Sequence, residues 1–317
     1  MKSQITDTLL MIRPAAFRMN EQTAVNNFYQ DTTANIETAT ERAQREFDAF
    51  VALLKSKGIR VIVVEDNPET DTPDAVFPNN WVSFHASAEV ALYPMYAENR
   101  RLERRMDVLE RLEAEGFFIE HIIDYSAAED EAVFLEGTGS LVLDRVHKIA
   151  YCALSPRASE ELLDEFCEDF GYFPVAFHAY QTHNNQRALI YHTNVMMALG
   201  ENFAVVCLDC IDHKAEKKLL VEQLSTITAK EIIAITEAQV AAFAGNMLQV
   251  KNTDGKAFTV LSKTAHDSLT KAQKNQLLKH NELIVADIPT IETLGGGSVR
   301  CMLAEVFLPK KPSPSEN

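Results

Sequence analysis

Short apolar runs alternate with amphipathic stretches along this chain, and they repeat in one order. Each repeat opens on a polar or glycine hinge. A strand-like run, a short turn, a second run and a helix-like stretch follow. The first repeat opens at Asn79-Asn80, with strands predicted over 81–85 and 89–94 and a helix over 99–115. The second opens at Gly137-Thr138-Gly139, with strands over 140–143 and 148–154 and a helix over 159–170. The third opens at Thr193-Asn194, with strands over 195–199 and 203–208 and a helix after Asp212. The fourth opens at Gly245-Asn246, with strands over 247–250 and 257–261 and a helix after Thr264.

The fifth repeat opens at Gly296-Gly297, has a strand over 299–307, and then runs out of chain. Its missing parts stand at the N-terminus: an apolar strand over 8–12 and a helical stretch near 21–29. The two chain ends are therefore expected to pair and close a ring. Hinges recur roughly every 50–60 residues, the period of propellers and repeat arrays. A further strand, such as 60–64 or 117–119, lies between each helix and the next hinge. Strands alternating with amphipathic helices place the chain in the α/β class. The competing reading is an ordinary α/β sheet whose units merely look periodic. Residues 1–308 read as a single domain, and 309–317, rich in proline and serine, as a disordered tail.

If the units surround an axis, their hinges meet near its centre. The residues gathered there are Asp74, Asn79, Asn80, Glu136, His192, Asn194 and Cys301. Cys301 follows Gly295-Gly296-Gly297-Ser298-Val299-Arg300, which puts a thiol at the mouth of a glycine turn. Such a turn permits close approach of a ligand. A thiol, an imidazole and a carboxylate supply a nucleophile, its base and its orienter. A free cysteine has a pKa of about 8.5, so a nearby cation helps to populate thiolate at neutral pH. Arg300 is adjacent, although strand alternation would turn it to the other face.

Composition narrows the function. The 317 residues carry a net charge of -16, which opposes a nucleic-acid surface or docking to anionic lipid. No apolar run is long enough to span a bilayer, and the N-terminus lacks the pattern of a signal peptide. A cytoplasmic location is expected. The five cysteines are too sparse and odd in number for a disulfide framework. Cys207-Leu208-Asp209-Cys210, with His213 nearby, has metal-like spacing, but no second ligand pair follows. Structural cysteines are the stronger reading. No G-x-G-x-x-G or P-loop is present, and no metal, nucleotide or organic cofactor is expected.

The ordered set Asp74-Ala75-Val76-Phe77-Pro78-Asn79-Asn80-Trp81, Phe134-Leu135-Glu136-Gly137, Leu154-Ser155-Pro156-Arg157, Tyr191-His192-Thr193-Asn194 and Gly295 to Cys301 resembles the guanidine-modifying, or pentein, superfamily. That group includes arginine deiminases, dimethylarginine dimethylaminohydrolases and amidinotransferases. The Phe-Pro-Asn-Asn-Trp block is most similar to its citrulline-utilisation hydrolase branch. The resemblance spans nearly the whole chain. It implies a five-fold pseudosymmetric α/β propeller of ββαβ units.

The resemblance makes Cys301 the nucleophile, His192 the general acid/base and Glu136 the carboxylate that orients it. Asp74 matches an aspartate that contacts substrate, and Arg157 an arginine that binds the substrate α-carboxylate. Arg100 or Arg101 lies near an arginine that lines the substrate entrance. The resemblance also points to a homodimer, for which the residues themselves carry no signal.

Two departures bear on the substrate. Related enzymes have acids where this chain has Asn79-Asn80, and deiminases have His-x-Asp where it has His192-Thr193-Asn194. A buried guanidinium needs carboxylates beside it. An amide supplies N–H donors as well as an acceptor, which suits a neutral ureido group. Citrulline is therefore the expected substrate, cleaved to ornithine, ammonia and carbon dioxide through a covalent Cys301 adduct. The alternatives are deiminase, dimethylaminohydrolase or amidinotransferase chemistry on a guanidino substrate, or a non-catalytic binding protein on the same scaffold.

Overall fold

Five three-stranded sheets share one topology in the computed structural model, which describes residues 3–30 and 38–311. In each sheet the first strand pairs antiparallel with the second, and the second pairs parallel with the third. The second repeat shows the local causes. Strand Leu141–Asp144 turns tightly through Lys148, at φ 57°, into Ile149–Ala153. A parallel partner requires a crossover, and helix Glu160–Phe170 supplies it before strand Phe173–Phe177. Glu160 and Glu161 favour the helix start, and Gly171 at φ +64° ends it. Leu162, Leu163, Phe166, Cys167 and Phe170 form its buried face.

The two chain ends meet in one of these sheets. Strand Thr8–Arg13 pairs antiparallel with Ala304–Glu305 and parallel with Arg60–Glu65. The crossover helix, however, is Ala39–Ser56, with Ala39, Ala43, Phe47, Phe50 and Leu54 buried at helical spacing. The predicted helix near 21–29 is instead a series of turns. Its Asn20, Thr23 and Asn27 are buried polar residues whose side chains bond to distant parts of the chain. Such bonds compete with helix formation.

The hinges also differ from expectation. Several predicted strands begin late because one helical turn precedes them: Pro78–Asn80, Gly137–Ser140 and Thr193–Met196. The last strand is only Ala304–Glu305, since 298–303 forms successive i to i+3 turns. The helix predicted over 99–115 is broken into Glu98–Arg101 and Met106–Ala114. The strand predicted at 117–119 falls instead at His121–Asp124. Phe117 there bridges to Lys310, and Lys311 N–H donates to Gly116 O at 2.9 Å. The predicted tail is thus anchored at its start, and residues 312–317 lie outside the described residues.

First strands of neighbouring sheets touch. Ala304–Glu305 meets Val82–Phe84, and Met197–Leu199 meets both Leu141–Asp144 and Leu248–Lys251. The hinge before each first strand is thereby drawn toward the same region. No helix among the described residues is long and apolar enough to cross a membrane.

Candidate active site

Glu136 and His192 each stand immediately before a helical turn, on adjacent repeats. Glu136 N–H donates to Arg157 O at 3.1 Å, which pins the carboxylate end of its hinge. His192 Nε2 lies 2.6 Å from Glu136 Oε2. A carboxylate only accepts, so Nε2 carries the hydrogen and Nδ1 is left free. The other Glu136 oxygen accepts from Tyr96 N–H at 2.9 Å. Arg157 Nη1 stands 3.5 Å from Oε2.

Burial pushes the Glu136 carboxyl up, but Arg157, His192 and Arg100 outweigh it and bring it down to about 2. Burial lowers His192 to about 4, opposed by Glu136 and assisted by Arg157 and Arg100. The resting pair at neutral pH is therefore a carboxylate beside a neutral imidazole.

Cys301 is brought to the same cavity by the glycine turn. Gly296 sits at φ +62°, where a side chain would be strained and would strike Asn27. Cβ atoms at Gly295 or Gly297 would meet the Phe77 ring at 2.7 and 2.9 Å. The Cys301 sulfur receives two amide donors: Asn246 Nδ2 at 3.2 Å and Asn194 Nδ2 at 3.5 Å. Asn246 Oδ1 accepts from Arg300 N–H at 3.0 Å, so its NH₂ must turn toward the sulfur. The Arg300 guanidinium itself is spent on Leu303 O and Glu305.

A small cavity joins Cys301 and His192 to Asp74, Asn80, Arg100 and Arg157. Asn79, Asn194 and Glu136 are buried but do not line it. Asp74 Oδ2 accepts from Asn20 at 2.8 Å and Thr23 at 3.3 Å, while its Oδ1 has no hydrogen-bond partner. Burial raises the Asp74 carboxyl against the opposing pull of Arg100.

Of the two candidates Arg100 and Arg101, Arg100 is 2% exposed and lines the cavity wall. It grips Glu103 through Nε and Nη2, both at 2.9 Å. Arg101 turns away to Met95 O and Glu129. Arg157 is held by Glu136, Thr23 O and Asn26 and stacks over Tyr191, although its Nε has no hydrogen-bond partner.

Sequence reasoning missed Asn246 as a site residue, although it opens the fourth hinge. It also missed the 20–30 segment, which lines the cavity with Thr23 and Asn27 and holds Asp74 through Asn20. The cysteines of the C-x-x-C run, Cys207 and Cys210, are fully buried in the core. His213 is exposed and bonds Glu216, which also binds His178.

The sequence model of the family described as "N,N dimethylarginine dimethylhydrolase, eukaryotic" matches residues 13–308. The chain belongs to this family. With it comes membership of the guanidine-modifying, or pentein, superfamily. The family is one of hydrolases that open guanidino C–N bonds.

Solved structures agree on the pentein fold. The apo form of ArgZ, an arginine dihydrolase from the ornithine-ammonia cycle in cyanobacteria, is 16% identical with a TM-score of 0.73. The match covers 96% of this chain but 41% of ArgZ, so the chain spans about two fifths of that protein. The N-terminal domain of ArgZ bound to substrate is covered to 99%, and 95% of this chain is matched, at 15% identity and TM-score 0.69. A dimethylarginine dimethylaminohydrolase variant in adduct with S-methyl-L-thiocitrulline is 14% identical, with a TM-score of 0.62, over 95% of this chain and 99% of that one. The curated protein sequences contain no match to the chain.

Proposed function

We propose that this family member is a cysteine-dependent hydrolase that cleaves the ureido group of citrulline to ornithine, ammonia and carbon dioxide. One observation carries the reading: the Cys301 sulfur accepts hydrogen bonds from the side-chain amides of Asn246 and Asn194. A guanidinium attacked there would carry its positive charge into a ring of N–H donors. A ureido carbon is neutral, and its oxygen needs donors.

The chemistry follows from the free imidazole nitrogen. His192 Nδ1 takes the thiol proton as Cys301 Sγ bonds to the ureido carbon. Negative charge gathers on the ureido oxygen, within reach of amide donors of the pocket. The imidazolium then gives its proton to the departing nitrogen, and the C–N bond breaks. Water adds to the remaining thioester-like carbon as His192 takes its proton, and sulfur leaves. Whether ornithine or ammonia departs first, the one carbamate released from sulfur still holds the other amine and decomposes to that amine and carbon dioxide. Glu136 acts through His192, holding its tautomer.

A guanidino substrate is the second reading. It is favoured by the family match, by relatives described as acting on arginine, and by the free Oδ1 of Asp74 in the cavity wall. Incubation with citrulline and arginine separates the two. Ornithine and ammonia from citrulline, absent in Cys301→Ala, supports the first reading. Turnover of arginine alone would overturn it.

A further inference from the structure

Asn80 can show a substrate only one end of its amide. Arg100 Nη1 donates to Asn80 Oδ1 at 2.9 Å. A guanidinium has donors and no acceptor, so the oxygen must face Arg100 and the NH₂ must face away. That Nδ2 is buried and has no hydrogen-bond partner. It lies on the cavity shared with Cys301 and His192. A Cβ added at Gly139 would stand 2.3 Å from Asn80 Nδ2 and 2.8 Å from His192 Nδ1, so both nitrogens crowd one point.

Arg100 cannot swing to release the amide. Glu103 holds it through two hydrogen bonds, and Nη2 also donates to Phe77 O at 3.2 Å. Both Arg100 and Glu103 are 2% exposed. Glu103 does not itself line the cavity.

We propose that the Arg100–Glu103 pair determines specificity, by fixing the Asn80 amide as a hydrogen-bond donor toward the reacting group. The inference rests on the citrulline reading and deepens it. An unrestrained asparagine could rotate its amide and serve a carbonyl oxygen or an amidinium NH₂ equally. The locked amide donates to the ureido oxygen and sets N–H against N–H when a guanidinium enters. Leaving buried donors unpaired costs about tenfold to a hundredfold in affinity. The same device orients Asn246, whose oxygen is occupied by Arg300 N–H so that its NH₂ faces the sulfur. Arg100 is thus a positioning residue that acts through Asn80.

The test measures affinity for citrulline, arginine and ornithine by calorimetry in the Cys301→Ala protein, which binds without turnover. Ornithine lacks the ureido carbon and serves as the internal control. Two further proteins are compared: Asn80→Asp, and Arg100→Gln with Glu103→Gln, which removes both charges together. In each, the preference for citrulline over arginine is expected to fall by about tenfold to a hundredfold, with ornithine affinity held within about threefold. A folded double variant that keeps the preference overturns the lock and leaves the citrulline reading standing. Parallel weakening of all three ligands also overturns it, because that reports a collapsed pocket. If the double variant does not fold, Asn80→Asp decides alone by the same criteria. Preferential turnover of arginine by the intact enzyme overturns the citrulline reading and the lock together.

Discussion

The carboxylate of Glu136 stands 2.6 Å from Nε2 of His192, on the side of the ring away from its free nitrogen. The contact decides which imidazole nitrogen does the chemistry. Glu136→Gln can offer Nε2 an NH₂ instead of an oxygen, which favours the wrong tautomer. We expect kcat to fall by about 10²–10⁴-fold with little change in KM. Steady-state kinetics on citrulline checks this. A large rise in KM at unchanged kcat would assign Glu136 to substrate binding instead.

Asn246 holds the sulfur from the fourth hinge. Asn246→Asp replaces a donor with a negative charge 3.2 Å from Sγ, where it opposes thiolate formation. Alkylation of Cys301 by iodoacetamide at pH 7 is expected to slow by at least about tenfold, and kcat to fall with it. Asn246→Ala should show a smaller loss, since it removes a donor without adding charge. Equal alkylation rates in all three proteins would separate Asn246 from the nucleophile.

How much of this site could be read in the sequence depends on whether a residue acts through its own hinge or through long-range packing. Cys301, His192 and Glu136 were legible because each stands beside a turn that begins a repeat. Asn246 has the same placement, yet an asparagine after glycine is also an ordinary turn residue, and nothing local marks its contact with a sulfur 55 residues away. Arg100 and Arg101 are neighbours on one helical turn, and only packing against Glu103 and Asn80 distinguishes them. The 20–30 segment looked like the missing helix of the fifth repeat. Its buried polar side chains instead reach Asp74 and Gly295, contacts that no local pattern encodes. The true crossover helix, Ala39–Ser56, carries an apolar stripe at helical spacing that the sequence does show.

Gly139 lies against both Asn80 and His192. A methyl group there would meet Asn80 Nδ2 at 2.3 Å and the His192 ring at 2.8 and 2.9 Å, all closer than real contacts allow. Both side chains are buried and cannot retreat into solvent. Gly139→Ala is therefore expected to reduce kcat/KM by at least about a hundredfold, alongside a stability loss of about 1–3 kcal/mol from overpacking. Urea unfolding and kinetics on the same preparation test the pair of effects. Normal turnover in the folded variant would show that neither side chain needs its present position.

Acid should weaken the native state through His192 before it does so through Glu136. In the unfolded chain His192 titrates near 6.5, whereas burial brings it to about 4 in the fold. Between these values the unfolded chain binds a proton that the native state refuses. The contribution of His192 is thus complete above about pH 6.5, lost as pH falls toward 4, and constant below. Glu136, lowered to about 2, loses its contribution later, as pH falls from about 4.5 toward 2. Relative to wild type, His192→Asn should therefore gain stability by on the order of 1–3 kcal/mol between pH 6.5 and 4. Urea denaturation of both proteins across that window measures the difference. A constant gap would mean that the fold does not lower His192, and that it takes up its proton as readily as the unfolded chain does.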